Sequence, residues 1–259
     1  MDKQTVRLQQ ITEILKVLNG ASIKDLAHRL GVSEMTIRRD LRYLDKEGIT
    51  KTLHGSTFYN VPRGSDDVKD SYSLELASTT HADEKDRIGK FAASLVSEND
   101  IISIDTGSTT VSLAHYLDKE KHITILCYNS NILEQLLPAK NFSLIFSGGY
   151  FHDNTLMFES PESLELIKRI RTTKTFVSAA GFHKTLGVTG SNAYETASKR
   201  ALLASSVEKI LLMDSSKFSQ VKSAYFADIK EFSAVVTDKN IDADWSDFIR
   251  SLGIKLYVV

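Results

Sequence analysis

The sequence has few of the residues and runs that mark several classes of protein. Cys127 is its only cysteine, which excludes an internal disulfide framework and a cysteine-based zinc site. No apolar run approaches the roughly 18–20 residues that a membrane-spanning helix needs. The first residues are polar and contain no apolar signal-peptide core. Together these absences predict a cytoplasmic protein with no membrane partner.

A strong excess of charge of either sign is also missing. The 259 residues include 32 Lys and Arg against 33 Asp and Glu, a formal net charge of −1. Proteins that bind duplex DNA usually carry a basic excess, so the total argues against nucleic acid. The distribution reverses that argument, because residues 1–60 carry a net charge of +3 and the remainder carries −4. The near-zero sum therefore hides a basic head on an acidic body.

Proline is scarce as well, and its position helps to divide the chain. With only three prolines, long segments are free to be helical. One of the three, Pro62, lies in the polar stretch 61–67 beside Gly64, which is typical of a linker. We expect a DNA-binding domain over residues 1–60, a linker over 61–74 and a larger domain over 75–259.

The first sixty residues have the pattern of a winged helix-turn-helix. Apolar residues recur at helical spacing in three segments, separated before Ser22 and again at Gly31 to Ser33. Residues 49–59 then alternate like the hairpin that forms a wing. The inward positions are Leu8, Ile11, Leu15 and Leu18, then Ile23, Leu26, Ala27 and Leu30, then Ile37, Leu41 and Leu44.

The outer face of the third helix predicts contact with a double-stranded DNA operator. Arginine and lysine suit phosphates, and short polar groups at the helix tip suit base edges. The alternative is a solvated basic face on a three-helix cap. Asp40, which is acidic among arginines, is expected to brace Arg38 or Arg39 or to cap a turn. The expected DNA contacts are Ser33, Thr36, Arg38, Arg39, Arg42 and Lys46, with Lys51 and His54 in the wing.

From about residue 75 short apolar segments alternate with helical patterns. This alternation predicts an α/β fold, a mostly parallel sheet covered by helices on both faces. Ligands of such sheets bind at the carboxyl ends of the strands. The predicted strands are Ile101–Ile104, Ile123–Cys127, Phe142–Phe146, Thr175–Ala179, Ile210–Met213, Ala234–Thr237 and Ile254–Val259.

Glycines and polar side chains gather after these strands. The first strand runs through Asp105 and Gly107 into a helix that begins with Ser108, Thr109 and Thr110, a turn that suits a phosphate monoester or is an ordinary helix cap. There is no GxGxxG or GxxxxGK[ST] motif, so we expect no nucleotide cofactor, and no metal site is predicted. The other strand-end groups are Tyr128 and Asn129, Gly148 and Gly149, Gly181, and the segment Asp214 to Phe218, with Glu195 at the start of a helix.

Both parts of the chain resemble the DeoR family of bacterial transcriptional repressors. The head matches in Arg7-x3-Ile11-x3-Leu15 and in Ser33-x2-Thr36-Ile37-Arg38-Arg39-Asp40-Leu41, although His54-Gly55-Ser56 stands where the family often has His-Gly-Gly. The body is similar to the DeoR-type sensor domain, whose fold is similar to that of ribose-5-phosphate isomerase. The matching pieces there are Glu84-Lys85-x2-Ile88, Ile104 to Thr110, Gly148-Gly149, Phe176-x2-Ala179-x-Gly181 and Asp214 to Phe218.

The resemblance implies a repressor of sugar or nucleoside catabolism genes that a phosphorylated sugar releases from its operator. It implies that Gly107 to Thr110 hold the phosphate with Lys217, and that Asp105 and Glu195 accept sugar hydroxyls, unless Asp105 only braces the turn. Residues 127–131 and 178–183 resemble the branch that controls deoxyribonucleoside operons, which implies deoxyribose 5-phosphate. The expected effector-binding residues are Asp105, Gly107, Ser108, Thr109, Thr110, Tyr128, Asn129, Gly148, Gly149, Gly181, Glu195 and Lys217.

Two other functions are weighed against this hypothesis. A sugar-phosphate isomerase with a DNA-binding appendage would need a base beside the carbonyl carbon. The aspartates that isomerases carry after the corresponding strand are replaced here by Ser178-Ala179-Ala180-Gly181, although Asp105 and Glu195 remain candidate bases. A scaffold without a ligand would give no reason for the strand-end glycines and hydroxyls. We therefore expect a non-enzymatic sensor that works as a homo-oligomer, because operators are usually read by symmetric pairs.

Overall fold

The computed structural model describes residues 3–18, 21–46, 50–53, 56–59 and 73–259. Contacts within the chain divide it into two units, Met1–Asp70 and Ser71–Val259. The domain borders expected from the sequence stay a prediction, because residues 60–72 lie outside the described residues. In the described part of the chain, no helix combines the length and the apolar character needed to cross a bilayer.

The first unit is a small helical domain with a three-stranded sheet. The last two strands pair in antiparallel register from Thr50 with Tyr59 to Leu53 with Ser56, so the predicted wing strands are confirmed. The helices are α1 (Lys3–Leu18), α2 (Ile23–Leu30) and α3 (Glu34–Lys46), and the strands are β1 (Ala21–Ser22), β2 (Thr50–Leu53) and β3 (Ser56–Tyr59). The strands form an antiparallel sheet in the order β1-β3-β2.

The predicted apolar stripes of the three helices form the core of this unit. Gly31 provides the positive φ of 63° that turns the chain between α2 and α3. Ser33 then caps α3, since its Oγ accepts a hydrogen bond from the Thr36 N–H at 3.3 Å. The side chain of Leu18 lies outside the described residues. The buried core residues are Ile11, Leu15, Ile23, Leu26, Ala27, Ile37, Leu41 and Leu44.

A buried ion pair joins the first helix of this unit to the third. Arg7 Nε lies 2.5 Å from Asp40 Oδ2, and Asp40 is fully buried. Asp40 follows the buried Ile37 by three residues, so it faces inward, whereas Arg38 and Arg39 are exposed. Asp40 thus pairs with Arg7 of α1, and not with Arg38 or Arg39 of its own helix as the sequence had suggested.

The second unit is an α/β domain around a seven-stranded sheet. Its helices are α4 (Leu74–Thr79), α5 (Ala82–Ser94), α6 (Ser108–Tyr116), α7 (Ser130–Leu136), α8 (Pro161–Arg169), α9 (Glu195–Ala204) and α10 (Ala243–Ser251). Its strands are β4 (Ile101–Ile104), β5 (Ile123–Cys127), β6 (Phe142–Phe146), β7 (Tyr150–His152), β8 (Met157–Glu159), β9 (Thr172–Ser178), β10 (Gly181–His183), β11 (Gly187–Gly190), β12 (Ser206–Leu212), β13 (Ala224–Ala227), β14 (Ala234–Thr237) and β15 (Lys255–Val258).

The large sheet has the order β15-β14-β12-β9-β4-β5-β6, and every neighbouring pair in it is parallel. The chain starts in the middle at β4, builds outward through β5 to the β6 edge, and returns to β9 on the other side of β4. The direction of winding therefore reverses between β4 and β9, and open α/β sheets bind ligands at the carboxyl ends of strands at such a reversal. Apolar clusters that include Ile104 and Val177 form the core around the sheet.

All seven predicted strands are confirmed as the strands of this sheet, and four of them have the predicted bounds. The antiparallel pair β7-β8 and the antiparallel sheet β10-β11-β13 were not predicted. Each of these strands has only three or four residues, and Gly181, Gly187 and Gly190 lie within them, which weakens the apolar signal. The single cysteine, Cys127, ends β5, and burial raises the pKa of its thiol to about 12.

Candidate functional site

A cleft of about 440 Å³, partly open to solvent, lies where the winding of the large sheet reverses. That volume includes open solvent, and the space that the centre of a water molecule can occupy within it is about 50 Å³, so the cleft is narrow in this structure. The cleft is bounded by the segments that follow β4 and β9, by α4, α5 and α9, by the end of β11 and by the turn that contains Lys217. Its lining residues are Ala77, Lys85, Thr106, Ser108, Thr109, Ser178, Ala179, Ala180, Gly190, Ser191, Glu195, Lys199 and Lys217.

The turn after β4 brings a helix N-terminus to the cleft. Gly107 has a φ of 146°, and a Cβ at this position would lie 2.9 Å from Ser178 Cβ, so only glycine fits. The Gly107 carbonyl accepts hydrogen bonds from Thr110 Oγ1 at 2.8 Å and from the Val111 N–H at 3.1 Å. Ser108 and Thr109 line the cleft at the start of α6, where the first N–H groups have no partner within the helix. This arrangement suits an anion.

Asp105 and Tyr128 are buried and bonded to each other. The Tyr128 hydroxyl donates to Asp105 Oδ1, and Asp105 Oδ2 accepts from the Ser178 N–H at 3.0 Å and from Lys199 Nζ at 2.5 Å. Burial and the adjacent carboxylate raise the pKa of Tyr128 well above its ordinary value. Neither residue is among those that line the cleft. Their contact with an effector stays a prediction. The contacts observed for them link the ends of the neighbouring strands β4, β5 and β9.

Glu195, at the start of α9, does line the cleft. Its Oε1 accepts from Asn192 Nδ2 at 2.6 Å, and its Oε2 lies 3.4 Å from Lys199 Nζ. Burial is the main reason that the pKa of Glu195 lies above its ordinary value, against the opposing charge of Lys199. Lys199 itself is 1% exposed and also donates to the Ser178 carbonyl at 3.1 Å. A buried carboxyl and a buried ammonium thus share one wall.

Two further lysines supply positive charge. Lys217 lines the cleft with its side chain 28% exposed, and its Nζ is 3.9 Å from Asp214 Oδ2. Lys85 is 3% exposed and donates to the carbonyls of Ala77 at 2.5 Å and Thr80 at 2.6 Å. Burial lowers the pKa of Lys85, with Lys217 adding to that effect and Asp214 opposing it.

Lys85 and Lys199 were not among the predicted site residues, although the sequence contained a signal for each. Lys85 lies in the segment Glu84-Lys85-x2-Ile88 that matched the family. Lys199 stands four residues after Glu195, which places both side chains on one face of a helix. Residues 178–180 also lie on the wall, in agreement with the expectation that the small residues at this strand end let a ligand approach the backbone closely.

Several predicted effector residues do not line the cleft. Gly148 and Gly149 connect the edge strand β6 to β7, and a Cβ at Gly149 would lie 2.3 Å from the Glu159 carbonyl oxygen. Asn129 is buried and donates to Thr106 Oγ1 at 2.8 Å, so it supports a lining residue. Gly181 begins β10 against the backbone of Gln220. Their roles as effector contacts stay predictions, and the observed packing gives Gly149, Asn129 and Gly181 a structural role.

The predicted DNA-binding face of α3 is largely exposed. Arg39 and Arg42 are exposed, and Arg38 is exposed with its guanidinium 3.8 Å from Glu34 of the preceding turn. Ser33 is exposed at the tip of the helix and Thr36 is half-buried. The side chains of Lys46 and Lys51, and all of His54, lie outside the described residues.

Comparison with known proteins agrees with this architecture. Residues 7–62 match the DeoR-like helix-turn-helix domain, and residues 80–239 match the DeoR C terminal sensor domain. The deoxyribose operon repressor of Escherichia coli (strain K12) is 30% identical over 250 residues, which cover 96% of each chain. The HTH-type transcriptional regulator IolR of Bacillus subtilis (strain 168) is 26% identical over 255 residues, which cover 98% of each chain.

Among solved structures, ribose 5-phosphate isomerase A from Methanocaldococcus jannaschii is 15% identical with a TM-score of 0.40, over 53% of this chain and 54% of the isomerase. This chain thus matches about half the length of that isomerase. The two domain matches and the repressor that aligns along nearly the full length are the findings that decide the family. The chain belongs to the DeoR family of transcriptional repressors.

Proposed function

We propose that this protein is a DNA-binding repressor of sugar or nucleoside catabolism genes that a phosphorylated sugar releases from its operator. The observation that carries the proposal is the meeting of the α6 N-terminus with Lys85 and Lys217 in one cleft. A phosphate dianion gains both from free helix N–H groups and from ammonium groups. The sugar end would then face Glu195, Ser191 and the small residues 178–180.

The proposed DNA contacts come from the exposed side chains of α3. Arg39 and Arg42 supply charge for phosphates, and Ser33 and Thr36 stand at the helix tip, where side chains reach base edges. We further propose that the protein acts as a homo-oligomer, because two copies of the head read the two halves of a symmetric operator. The mass of the protein on operator DNA, measured by analytical ultracentrifugation, tests this.

Deoxyribose 5-phosphate is the proposed effector, in line with the similarity to the deoxyribose operon repressor of Escherichia coli. The test measures the thermal midpoint and the binding heat of the full-length protein with a panel of pentose and hexose phosphates. A ligand at about a hundred times its Kd adds about 2.7 kcal/mol of stability. If no sugar phosphate of the panel binds, the sensor function is contradicted. If another sugar phosphate binds more tightly than deoxyribose 5-phosphate, that sugar phosphate is the effector.

Variants of the cleft make that test specific. Lys217→Met removes one cation from the cleft, and we expect it to weaken binding of the phosphorylated sugar about tenfold or more, since a charge-assisted hydrogen bond is worth about 1.5–3 kcal/mol. Lys222→Met is the matched control, because Lys222 is exposed and is not among the residues that line the cleft. Equal affinity of the two variants for the phosphorylated sugar would mean that Lys217 does not contact the phosphate.

We propose that the protein does not catalyse isomerisation. Asp105 is engaged by Tyr128, Lys199 and the Ser178 N–H, which leaves Glu195 as the carboxyl that faces the cleft. The higher pKa of Glu195 is a property of general bases as well as of buried carboxyls, so catalysis needs a direct assay. Incubation with ribose 5-phosphate, whose C2 hydroxyl an isomerase would convert to a carbonyl, should return the sugar unchanged on chromatography, and any conversion that Glu195→Gln abolishes would show an enzyme.

A further inference from the structure

Helix α4 has a position in the chain and in the fold that links the cleft to the head. It begins at Leu74, four residues after Asp70, the last residue of the first unit. Ala77 of α4 is one of the residues that line the cleft. A change in how α4 is held is therefore passed covalently to the segment that leads to the DNA-binding domain.

The helix depends on outside contacts for its position. It has six residues, and isolated helices shorter than about 12–15 residues are marginal in water. Ser73 precedes it without a side-chain capping bond. At its start Leu74 is 3% exposed, and the Leu74 N–H donates to the Asn154 carbonyl at 2.8 Å. Asn154 in turn accepts from the hydroxyl of Tyr194, the residue before Glu195, at 2.7 Å.

At the other end of α4 the contacts come from a lysine of the cleft. The last carbonyls of a helix have no partner within it. Lys85 Nζ donates to two carbonyls here, that of Ala77 at 2.5 Å and that of Thr80 at 2.6 Å. The same Lys85 lines the cleft beside Ser108 and Thr109. One ammonium group thus serves both the end of α4 and the anion-binding wall.

We infer that α4 transmits effector occupancy: a phosphate bound in the cleft competes with the carbonyls of Ala77 and Thr80 for the Lys85 ammonium, so that binding loosens α4. The inference rests on the proposed function, since it needs a phosphorylated ligand in this cleft. A charged acceptor makes a stronger hydrogen bond with an ammonium than a neutral carbonyl does. When α4 is released, the Lys85 ammonium no longer bonds to the carbonyls of α4 and can bind phosphate more tightly. A ligand shifts an equilibrium between two arrangements only if it binds one of them more tightly in this way.

Hydrogen exchange of the full-length protein tests the inference. The probes are deoxyribose 5-phosphate and inorganic phosphate, and then the other sugar phosphates of the panel. The heat of binding is measured by calorimetry on the same protein sample. We expect amide exchange in residues 74–80 to become several-fold faster at saturation, while α6 exchanges no faster. Binding heat with unchanged or slower exchange in α4 overturns the inference and leaves the proposed function standing. A panel of sugar phosphates that gives no heat overturns both.

Two variants separate transmission from binding. Leu74→Ala removes the buried anchor of α4 without touching the cleft, so we expect roughly fivefold tighter effector binding and operator binding weakened by the same factor. Lys85→Met should give fast exchange in residues 74–80 that phosphate no longer changes. Lys90→Met, at an exposed position on the same helix α5, is the control and should behave like the wild type. A folded Leu74→Ala protein with both affinities unchanged overturns the inference.

Discussion

Lys199 Nζ lies 2.5 Å from Asp105 Oδ2, and both side chains are almost completely buried. The contact joins α9 to the end of β4, and Glu195 stands 3.4 Å from the same ammonium. Burial by itself lowers the pKa of Lys199, but Asp105 and Glu195 outweigh it, so the pKa lies above its ordinary value. One positive charge thus serves two buried carboxyls.

The first prediction concerns the removal of this charge. Lys199→Met leaves Asp105 and Glu195 without their shared cation, and breaking a buried ion pair costs about 3–5 kcal/mol. We expect a loss of that size in the free energy of unfolding, measured with urea. Lys168→Met is the control, because Lys168 and Glu165 form an exposed pair whose loss should leave the free energy of unfolding nearly unchanged. Adding Asp105→Asn to Lys199→Met should recover part of the loss. A loss in Lys199→Met no larger than the loss in Lys168→Met would contradict the prediction.

The second prediction concerns Gly107. An alanine here combines a φ of 146° with a Cβ 2.1 Å from Ser178 Oγ, so we expect Gly107→Ala to lower the free energy of unfolding by at least about 1–3 kcal/mol. Effector affinity should fall with it, because the turn positions the α6 N-terminus. Gly148→Ala, where a Cβ meets nothing within 4 Å, should change neither quantity. Thermal unfolding with and without effector measures both, and weakened effector binding in Gly148→Ala would restore Gly148 as an effector contact.

The third prediction concerns the DNA-binding face. Arg39→Ala and Arg42→Ala should each weaken operator binding while the thermal midpoint stays unchanged, because both side chains are exposed. Each lost phosphate contact should also reduce the slope of log K against log salt concentration by about 1. Fluorescence anisotropy over a salt series measures the slope, with Arg87→Ala, an exposed arginine of the second unit, as control. Unchanged slopes in both variants would place the DNA contacts elsewhere.

The fourth prediction concerns pH and the amino ends of β4 and β9. Burial raises the pKa of Asp100, but hydrogen bonds from Lys174, from the Ser97 N–H and from Thr173 outweigh it, so the pKa lies below its ordinary value of 3.8. The folded-state pKa is lowered, so the stabilisation is present above the unfolded-state value and is lost as pH falls through the folded one.

Between pH 5 and pH 2, therefore, the wild type should lose unfolding free energy more steeply than Asp100→Asn. Asp247→Asn, at an exposed position on α10, is the control and should follow the wild type. Chemical denaturation at a series of pH values gives the slopes. A slope for Asp100→Asn equal to that of the wild type would mean that Asp100 is not stabilised in the folded state.

The large sheet was predictable because each of its strands contains a short segment rich in apolar and β-branched residues. The observed β12 nevertheless begins at Ser206, four residues before the predicted Ile210, since backbone pairing with β9 continues through polar residues such as the exposed Glu208. Hydrogen bonding between strands requires no apolar side chain. The short antiparallel strands escaped prediction for the same reason, because they are defined by pairing and not by an apolar run.

The location of the site was predictable from the sequence, but several of the residues that line it were not. Strand ends meet at one edge of a parallel sheet, so residues after β4 and β9 had to come together. The sequence could not indicate that Asp105 and Tyr128 would bond to each other and lie beneath the wall. It equally could not indicate that Lys85 would reach the end of α4, because that contact depends on the packing of two helices.

The burial of Cys127 has a practical consequence for experiments on this protein. The thiolate is the form that reacts with alkylating labels, and a pKa of about 12 together with complete burial leaves almost none of it at neutral pH. The native chain should therefore be silent toward maleimide reagents while it is folded. A single cysteine introduced on α3 or α4 would then carry a fluorophore or spin label at one known position, without removal of the natural one.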